Sequence, residues 1–305
     1  MRTSADAGQS AKKRKSITTK DWFWGYVMIA PLMIGLLVFY IWPVVQTFFY
    51  TFTDWGAFGN YTWAGLDNYK KLGDDPSLLR AFRNTLIYII SMVPISIFLS
   101  ILIATLLNQK IKGLTIYRTI YFLPVVTMPA AVAMVWKWLY NADYGLINYA
   151  LSFIGIKGPK WLTDPNIALF SVVIVAVWSS IGHNMVIFLS GLQGISSSYY
   201  EAAEIDGAGP FTKFFQITLP LLSPTIFFVA VLGLINAFQV FDIIFLMVGN
   251  ITIEATQSVV YLFFKYAFML NQKGYAATVA VVLFAIIMIV TYVQMKLQKK
   301  WVHYE

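Results

Sequence analysis

The sequence predicts an all-α membrane protein with six spanning helices. Two observations point there first. Of the 305 residues, 59% are apolar and only 12% are charged, about half the charged fraction of a soluble domain. The charged residues also divide the chain into six long uncharged stretches, at 22–53, 84–109, 119–136, 165–200, 214–241 and 274–295. A helix needs roughly 20 mostly apolar residues to cross the hydrocarbon core. Lipid offers open backbone groups no partners, so helices are required, and the stretches lack the period-2 alternation of a barrel strand.

The first stretch follows a basic cluster, Lys12, Lys13, Arg14, Lys15 and Lys20. A basic segment followed by an apolar one can be a signal peptide. This run is far longer than a signal core and no small-residue cleavage site follows it, so it reads as a retained first span. The second and third stretches are separated by Lys110, Lys112 and Arg118 without an acid, and the sixth is followed by Lys296, Lys299 and Lys300. With the N-terminus in the cytoplasm, thirteen of the 22 basic residues fall inside and nine outside. Basic residues favour the cytoplasmic side, so both termini are expected there. This divides the chain into a cytoplasmic basic tail (1–21), a six-helix transmembrane domain (22–295) and a short cytoplasmic C-terminal tail (296–305). The positions of the basic residues explain the net charge of +8 by a lipid bilayer and not by nucleic acid. Trp22, Trp24, Trp136, Trp138 and Trp161 fall near expected interfaces. Prolines 31, 43, 94, 124, 129, 220 and 224 lie in or near spans, as either packing kinks or the bends of a pathway.

The connection at 196–217 is longer than a chain reversal of about 2–8 residues requires. Ser198 precedes Glu201 by three, the spacing of a capping box. A short helix is expected from Glu201 to Asp206, stopped by Gly207, Gly209 and Pro210. Gly207 is where the chain turns, with a positive φ expected. A second amphipathic piece follows, with Phe211, Phe214, Phe215 and Ile217, and Leu219-Pro220 opens the fifth span. Such a helix–turn–helix with a small apolar and acidic surface suits docking into a groove on a soluble partner.

Glu201-Ala202-Ala203, Asp206-Gly207-Ala208, Phe214-Phe215, Ile217, Leu219-Pro220 and Pro224 together resemble the EAA loop of bacterial ABC-importer permeases, in the form of the maltose-type carbohydrate branch. Gly65-Leu66-Asp67-Asn68-Tyr69, Asn84-Thr85 and Phe241-Asp242 are similar to further features of that branch. The resemblance implies a bacterial plasma-membrane permease of the six-helix ABC importer type, with a coupling helix between spans four and five. Its implied partners are a second, homologous permease chain expected to differ from this one, two ATPase subunits and an extracytoplasmic sugar-binding protein. Glu201, Ala202, Ala203, Asp206 and Gly207 would then be the ATPase-coupling residues.

This chain has no G-x-x-x-x-G-K-[ST] phosphate loop, so ATP and Mg would be used by the partner ATPase. It also has no H-E-x-x-H, no G-x-S-x-G and no cysteine, so neither chemistry nor a cofactor or metal is expected in it. A secondary transporter or channel would place ionisable residues at mid-membrane, and the span centres hold no acid or lysine. An ABC permease for a non-sugar solute is the nearer alternative. Sugars are held by aromatic faces and by groups that donate and accept hydrogen bonds. Span four offers Trp178, Ser179, Ser180, His183 and Asn184; Ser179, Ser180 and His183 can share a face. Span five offers Asn236 and Gln239, with Phe238 between. The resemblance puts the family's membrane sugar site on these two spans; interhelical contacts without a ligand use the same residue types. Asp242 is either a functional acid or a solvated interface group, and Glu254 is read as a solvated charge. The outer connections 54–83 and 140–164 are read as receiving surfaces for the binding protein or as mobile linkers.

Overall fold

The computed structural model describes residues 19–55, 59–109 and 112–302. The Lys12–Lys15 cluster and His303 lie outside the described residues. The chain divides into two units, residues 1–49 and 50–305. In the first, helix α1 (Thr19–Leu36) continues through a π turn (Leu37–Ile41) into α2 (Trp42–Tyr50). Pro43 has no N–H to offer Phe39, four residues earlier. The π turn sits just before it, and there the ladder shifts to i→i−5, with the Trp42 N–H bonded to the Leu37 carbonyl.

The second unit opens with the one exception, among the described residues, to an all-helical reading, a short antiparallel hairpin of β1 (Thr53–Trp55) and β2 (Tyr61–Trp63), with Thr53 opposite Trp63. Helix α3 (Asp67–Asp74) follows. The buried Asn68 at its start donates to the carbonyls of Thr51 and Thr53, both at 2.9 Å, fixing the hairpin to the helix. The long α4 (Pro76–Leu107) is capped by Asp75, which accepts from the Ser77 N–H at 2.8 Å, with Pro76 at the first helical position.

The third uncharged stretch is not one straight span. It forms α5 (Leu114–Val126) and α6 (Pro129–Leu139), bent by 100° at Thr127-Met128. Pro129 cannot donate, and it holds Met128 in extended backbone (φ −56°, ψ 128°), so the helix stops there. After α7 (Leu146–Ser152), helix α8 (Ala168–Gly194) is continuous. It leads into the short α9 (Ser197–Ile205). Helix α10 (Pro210–Leu221) begins well before Leu219-Pro220, so that pair lies inside a helix and not at its start. The bend, 63°, comes at Leu222, ahead of α11 (Ser223–Phe238). Two short helices, α12 (Asp242–Met247) and α13 (Ile253–Thr256), precede α14 (Val259–Met269) and the last long helix, α15 (Lys273–Leu297).

Four described helices are long and apolar enough to cross a membrane, or up to six when each bent pair counts as one span. In the second unit, α4 and α8 form the central pair, flanked by α5 and α11. Val172, Val175, Met185, Phe188 and Leu262 are fully enclosed there. Small residues allow the close approach, as expected between membrane helices, where packing and not the hydrophobic effect drives association. A β-carbon on Gly182 of α8 would fall on the Tyr121 carbonyl of α5, and one on Gly274 would fall on the Thr53 carbonyl.

The connections far from α9 are densely tied. Asn148 donates to the carbonyls of Ala142 and Pro159 and accepts from the Trp161 indole at 2.7 Å. Ser171 of α8 donates to the Trp161 carbonyl at 2.8 Å. These bonds organise residues 140–164 as structure and not as a linker. Asp75 also accepts from the hydroxyls of Tyr266 and Tyr275, at 2.7 and 2.8 Å, which joins the start of α4 to α14 and α15. Burial alone would raise its carboxyl pKa. The two phenols and the N–H groups of Ser77 and Leu78 outweigh that and hold it below the usual value.

Candidate functional site: a cavity and a docking loop

The bend at Thr127-Met128 and the end of α11 at Gln239-Val240-Phe241 face one cavity of about 560 Å³. Pro124, Val125, Thr127 and Pro129 line one side, and Gln239, Val240, Phe241 and Asp242 another. Irregular backbone at membrane depth is tolerated where it lines such a space. Ser179, Ser180 and His183 of α8 and Asn236 and Gln239 of the fifth span all line it, so five of the six polar residues singled out above converge. Asn184 does not. One step of 100° along α8 turns it away from His183, and it is half-buried elsewhere. Trp178 is not in the lining either; it packs edge-on against Trp136 at 5.4 Å. Tyr88 and Met92 of α4 complete the wall. Sequence reading missed these two, because an apolar helix face gives no sign of which residues border a void. The Pro124 and Pro129 pair was the readable signal for the bend.

Within this cavity Ser180 donates to the Val177 carbonyl at 2.8 Å, which leaves its oxygen lone pairs to accept. Asn236 and Gln239 are exposed to the space. Asp242, at the start of α12, is the one charged residue among the described residues of the lining. The set therefore offers amide, hydroxyl and imidazole groups beside the rings of Tyr88 and Phe241, a chemistry suited to a polar, uncharged solute.

The second component is the loop around α9. The cap is Ser196, whose hydroxyl accepts from the Ser198 N–H at 3.4 Å. It is not Ser198, so the helix starts four residues earlier than expected. Glu201 stands fifth of nine residues and not at the N-terminus. Its charge therefore gains little from the helix dipole, which fades beyond the first turn. The end follows expectation. Gly207 has φ +77°, its N–H bonds the Glu204 carbonyl, and the Ala208 N–H bonds the Ala203 carbonyl at 2.8 Å. Those two bonds are a Schellman motif, with Gly207 in the left-handed position that a side chain disfavours. Gly209 then caps α10 and Pro210 takes its first position.

Helix α9 has two faces. Glu201, Ala202 and Ile205 are exposed, Ile205 at 87%, and Asp206 and Gly207 are exposed beyond them. Ala203 is half-buried, turned toward its own chain. Tyr200 bonds Thr218 at 3.0 Å, and Glu204 pairs with Lys213 at 2.6 Å. The Lys213 ammonium holds the Glu204 carboxyl below its usual pKa. Phe211 and Phe215 of α10 are also exposed, at 82% and 60%. Glu201, Ala202 and Ile205 thus form the outer face of α9, while Phe211 and Phe215 line a groove with Phe98, Ile101 and Leu102 of α4.

Residues 75–304 match the family model described as "Binding-protein-dependent transport system inner membrane component". The chain is 36% identical over 303 residues to YesP of Bacillus subtilis, named a probable ABC transporter permease, covering 98% of this chain and 97% of that one. It is 37% identical over 290 residues to MsmF of Streptococcus mutans, named a multiple sugar-binding transport system permease, covering 94% and 98%. UgpA of Agrobacterium fabrum, named an sn-glycerol-3-phosphate transport system permease, is 34% identical over 281 residues, covering 92% and 96%. In fold, the chain superposes with a TM-score of 0.83 on a chain of a bacterial alginate ABC transporter solved in complex with alginate pentasaccharide-bound periplasmic protein, at 22% identity, over 92% of this chain and 95% of that one. With three quarters of its length matched, this chain belongs to the family of binding-protein-dependent transport system inner membrane components.

Proposed function

We propose that this chain is a membrane-spanning permease subunit of an ATP-binding-cassette importer, carrying a sugar or oligosaccharide. The observation that carries the reading is the convergence of Ser179, Ser180, His183, Asn236 and Gln239 on one cavity between the broken helices. In this reading the two bent pairs are single spans, making six, with both termini and residues 196–217 in the cytoplasm of a bacterium. The exposed face of α9 docks on a separate ATPase, which uses ATP and Mg. Two such ATPases, a second permease chain and an extracytoplasmic binding protein complete the assembly. The name of MsmF supports a sugar. That of UgpA favours a second reading, a phosphorylated polyol. Among the described residues of the cavity lining the charge is the Asp242 carboxylate, which supports the neutral solute over the phosphate.

The test is uptake by the reconstituted complex, measured with neutral oligosaccharides and with sn-glycerol 3-phosphate. His183→Ala and Asn236→Ala are expected to raise the solute concentration for half-maximal uptake about ten-fold, the cost of one buried hydrogen bond, with assembly intact. Unchanged uptake kinetics in both variants would remove this cavity from the pathway. Uptake of the phosphate alone would establish the second reading.

A further inference from the structure

We propose that Tyr200 and Glu204 are positioning residues that clamp α9 onto a π turn at the base of the fifth span, so that α9 and α10 move as one body. The inference rests on the reading of α9 as the ATPase-docking helix. Its basis is a match of spacing. Tyr200 and Glu204 are four apart on α9 and so lie on one face. Their partners, Thr218 and Lys213, are five apart on α10. In a regular helix, at 100° per residue, positions five apart point about 140° away from each other. Here Phe214–Thr218 is a π turn with its cap at Lys213, and the wider i→i+5 turn brings the two back to one side. The Thr218 hydroxyl follows the same widened ladder, donating to the Lys213 carbonyl five residues back at 3.3 Å.

The turn has a local cause and a consequence. Pro220 has no N–H for the Gln216 carbonyl, and the ladder shifts just before it, as it does before Pro43. The shift then presents a cation and a hydroxyl to α9. Thr218 is buried, and the Lys213 side chain is 20% exposed while that of Glu204 is 68% exposed. An exposed ion pair alone adds little stability. Its value here is geometric. With the Schellman turn at Gly207 closing one end, two contacts four residues apart stop α9 from rolling about its axis. Glu201, Ala202 and Ile205 are thereby kept facing outward, and a push on them is delivered to α10 and not absorbed by the loop.

The experiment uses the complete complex in reconstituted membranes. It measures solute transported per ATP hydrolysed, alongside co-purification of the ATPase. Tyr200→Phe combined with Glu204→Gln keeps the ring and the side-chain volume and should fold. It is expected to retain the ATPase and to lower transport per ATP about five-fold or more, the scale of a modest coupling energy. Glu204→Lys alone should do the same, and Glu204→Lys with Lys213→Glu should restore the wild-type ratio. An unchanged ratio in the double variant would overturn the clamp. So would loss of ATPase binding in Glu204→Lys without rescue by the swap, because Glu204 would then contact the ATPase itself. If the wild-type chain holds no ATPase, the docking reading fails, and the clamp with it.

Discussion

The loop before the fifth span, 195–209, and the loop after it, 248–258, are held in opposite ways. In the first, the backbone is satisfied within a dozen residues, by the Ser196 cap and the Schellman turn at Gly207, and most side chains are exposed. In the second, Thr252, Thr256, Gln257 and Ser258 are each 2% exposed or less, and the bonds reach far along the chain. Asn84 donates to the carbonyls of Glu254 and Gln257, Thr85 accepts from the Val259 N–H, Thr252 donates to the Leu162 carbonyl, and Ser258 to the Val240 carbonyl. One loop leaves its side chains at the surface. The other uses its polar groups to fasten α4, the connection before α8 and the end of α11 together. Exposure of polar groups with their shape fixed locally is what a docking element needs; buried, non-local satisfaction is what a scaffold needs.

This contrast can be broken from the scaffold side first. Gly274→Val places a side chain on the Thr53 carbonyl, a backbone atom that cannot give way. The expected cost is upwards of about 3 kcal/mol, seen as loss of folded protein after detergent extraction; normal yield and thermal midpoint would contradict the close approach. Asn84→Ala deprives the buried Gln257 carbonyl and the part-buried Glu254 carbonyl of their donor and is expected to cost about 1–3 kcal/mol, read as a lowered thermal midpoint. A shift no larger than that of an exposed substitution would mean loop 248–258 is held by packing alone.

Asp75 gives a milder and pH-dependent version. Its folded pKa is depressed, so its contribution is fully present above the ordinary carboxylate range and is lost as pH falls through the depressed value. Thermal stability should therefore decline toward low pH more steeply in the wild-type chain than in Asp75→Asn, which carries no titrating carboxylate there. Parallel declines would show that the bonds to Tyr266 and Tyr275 do not depend on the charge.

The same contrast explains what the sequence made legible. The loop at 196–217 was readable because its signals are local: Gly207, Gly209 and Pro210 end one helix and start the next wherever they occur in that order. Even so, the cap was placed two residues late, since three consecutive serines offer equivalent hydroxyls. The long apolar stretches were readable from charge alone, and two prolines marked where the third could bend, yet the 100° angle at Thr127-Met128 was not. Pro124 and Pro129 each allow a bend, and only packing against α12 selects the angle. The roles of Asn84, Asn68 and Gln257 were invisible, because their partners lie between 15 and 180 residues away. In the cavity, polar residues in an apolar helix could be recognised by type, whereas Tyr88 and Met92 could not.

The most direct measurement is ATP hydrolysis stimulated by the binding protein, in reconstituted membranes, for Glu201→Lys and Gly207→Val. Neither position lies in a long apolar helix. A β-carbon at Gly207 meets nothing within 4 Å, so the cost there is only the left-handed backbone, about 1–2 kcal/mol. Both variants should therefore insert and fold. The account predicts that stimulated hydrolysis and uptake fall together, about ten-fold or more for Glu201→Lys, through like-charge repulsion at the docking face. Full stimulated hydrolysis and uptake in both variants would contradict the assignment of this loop to coupling.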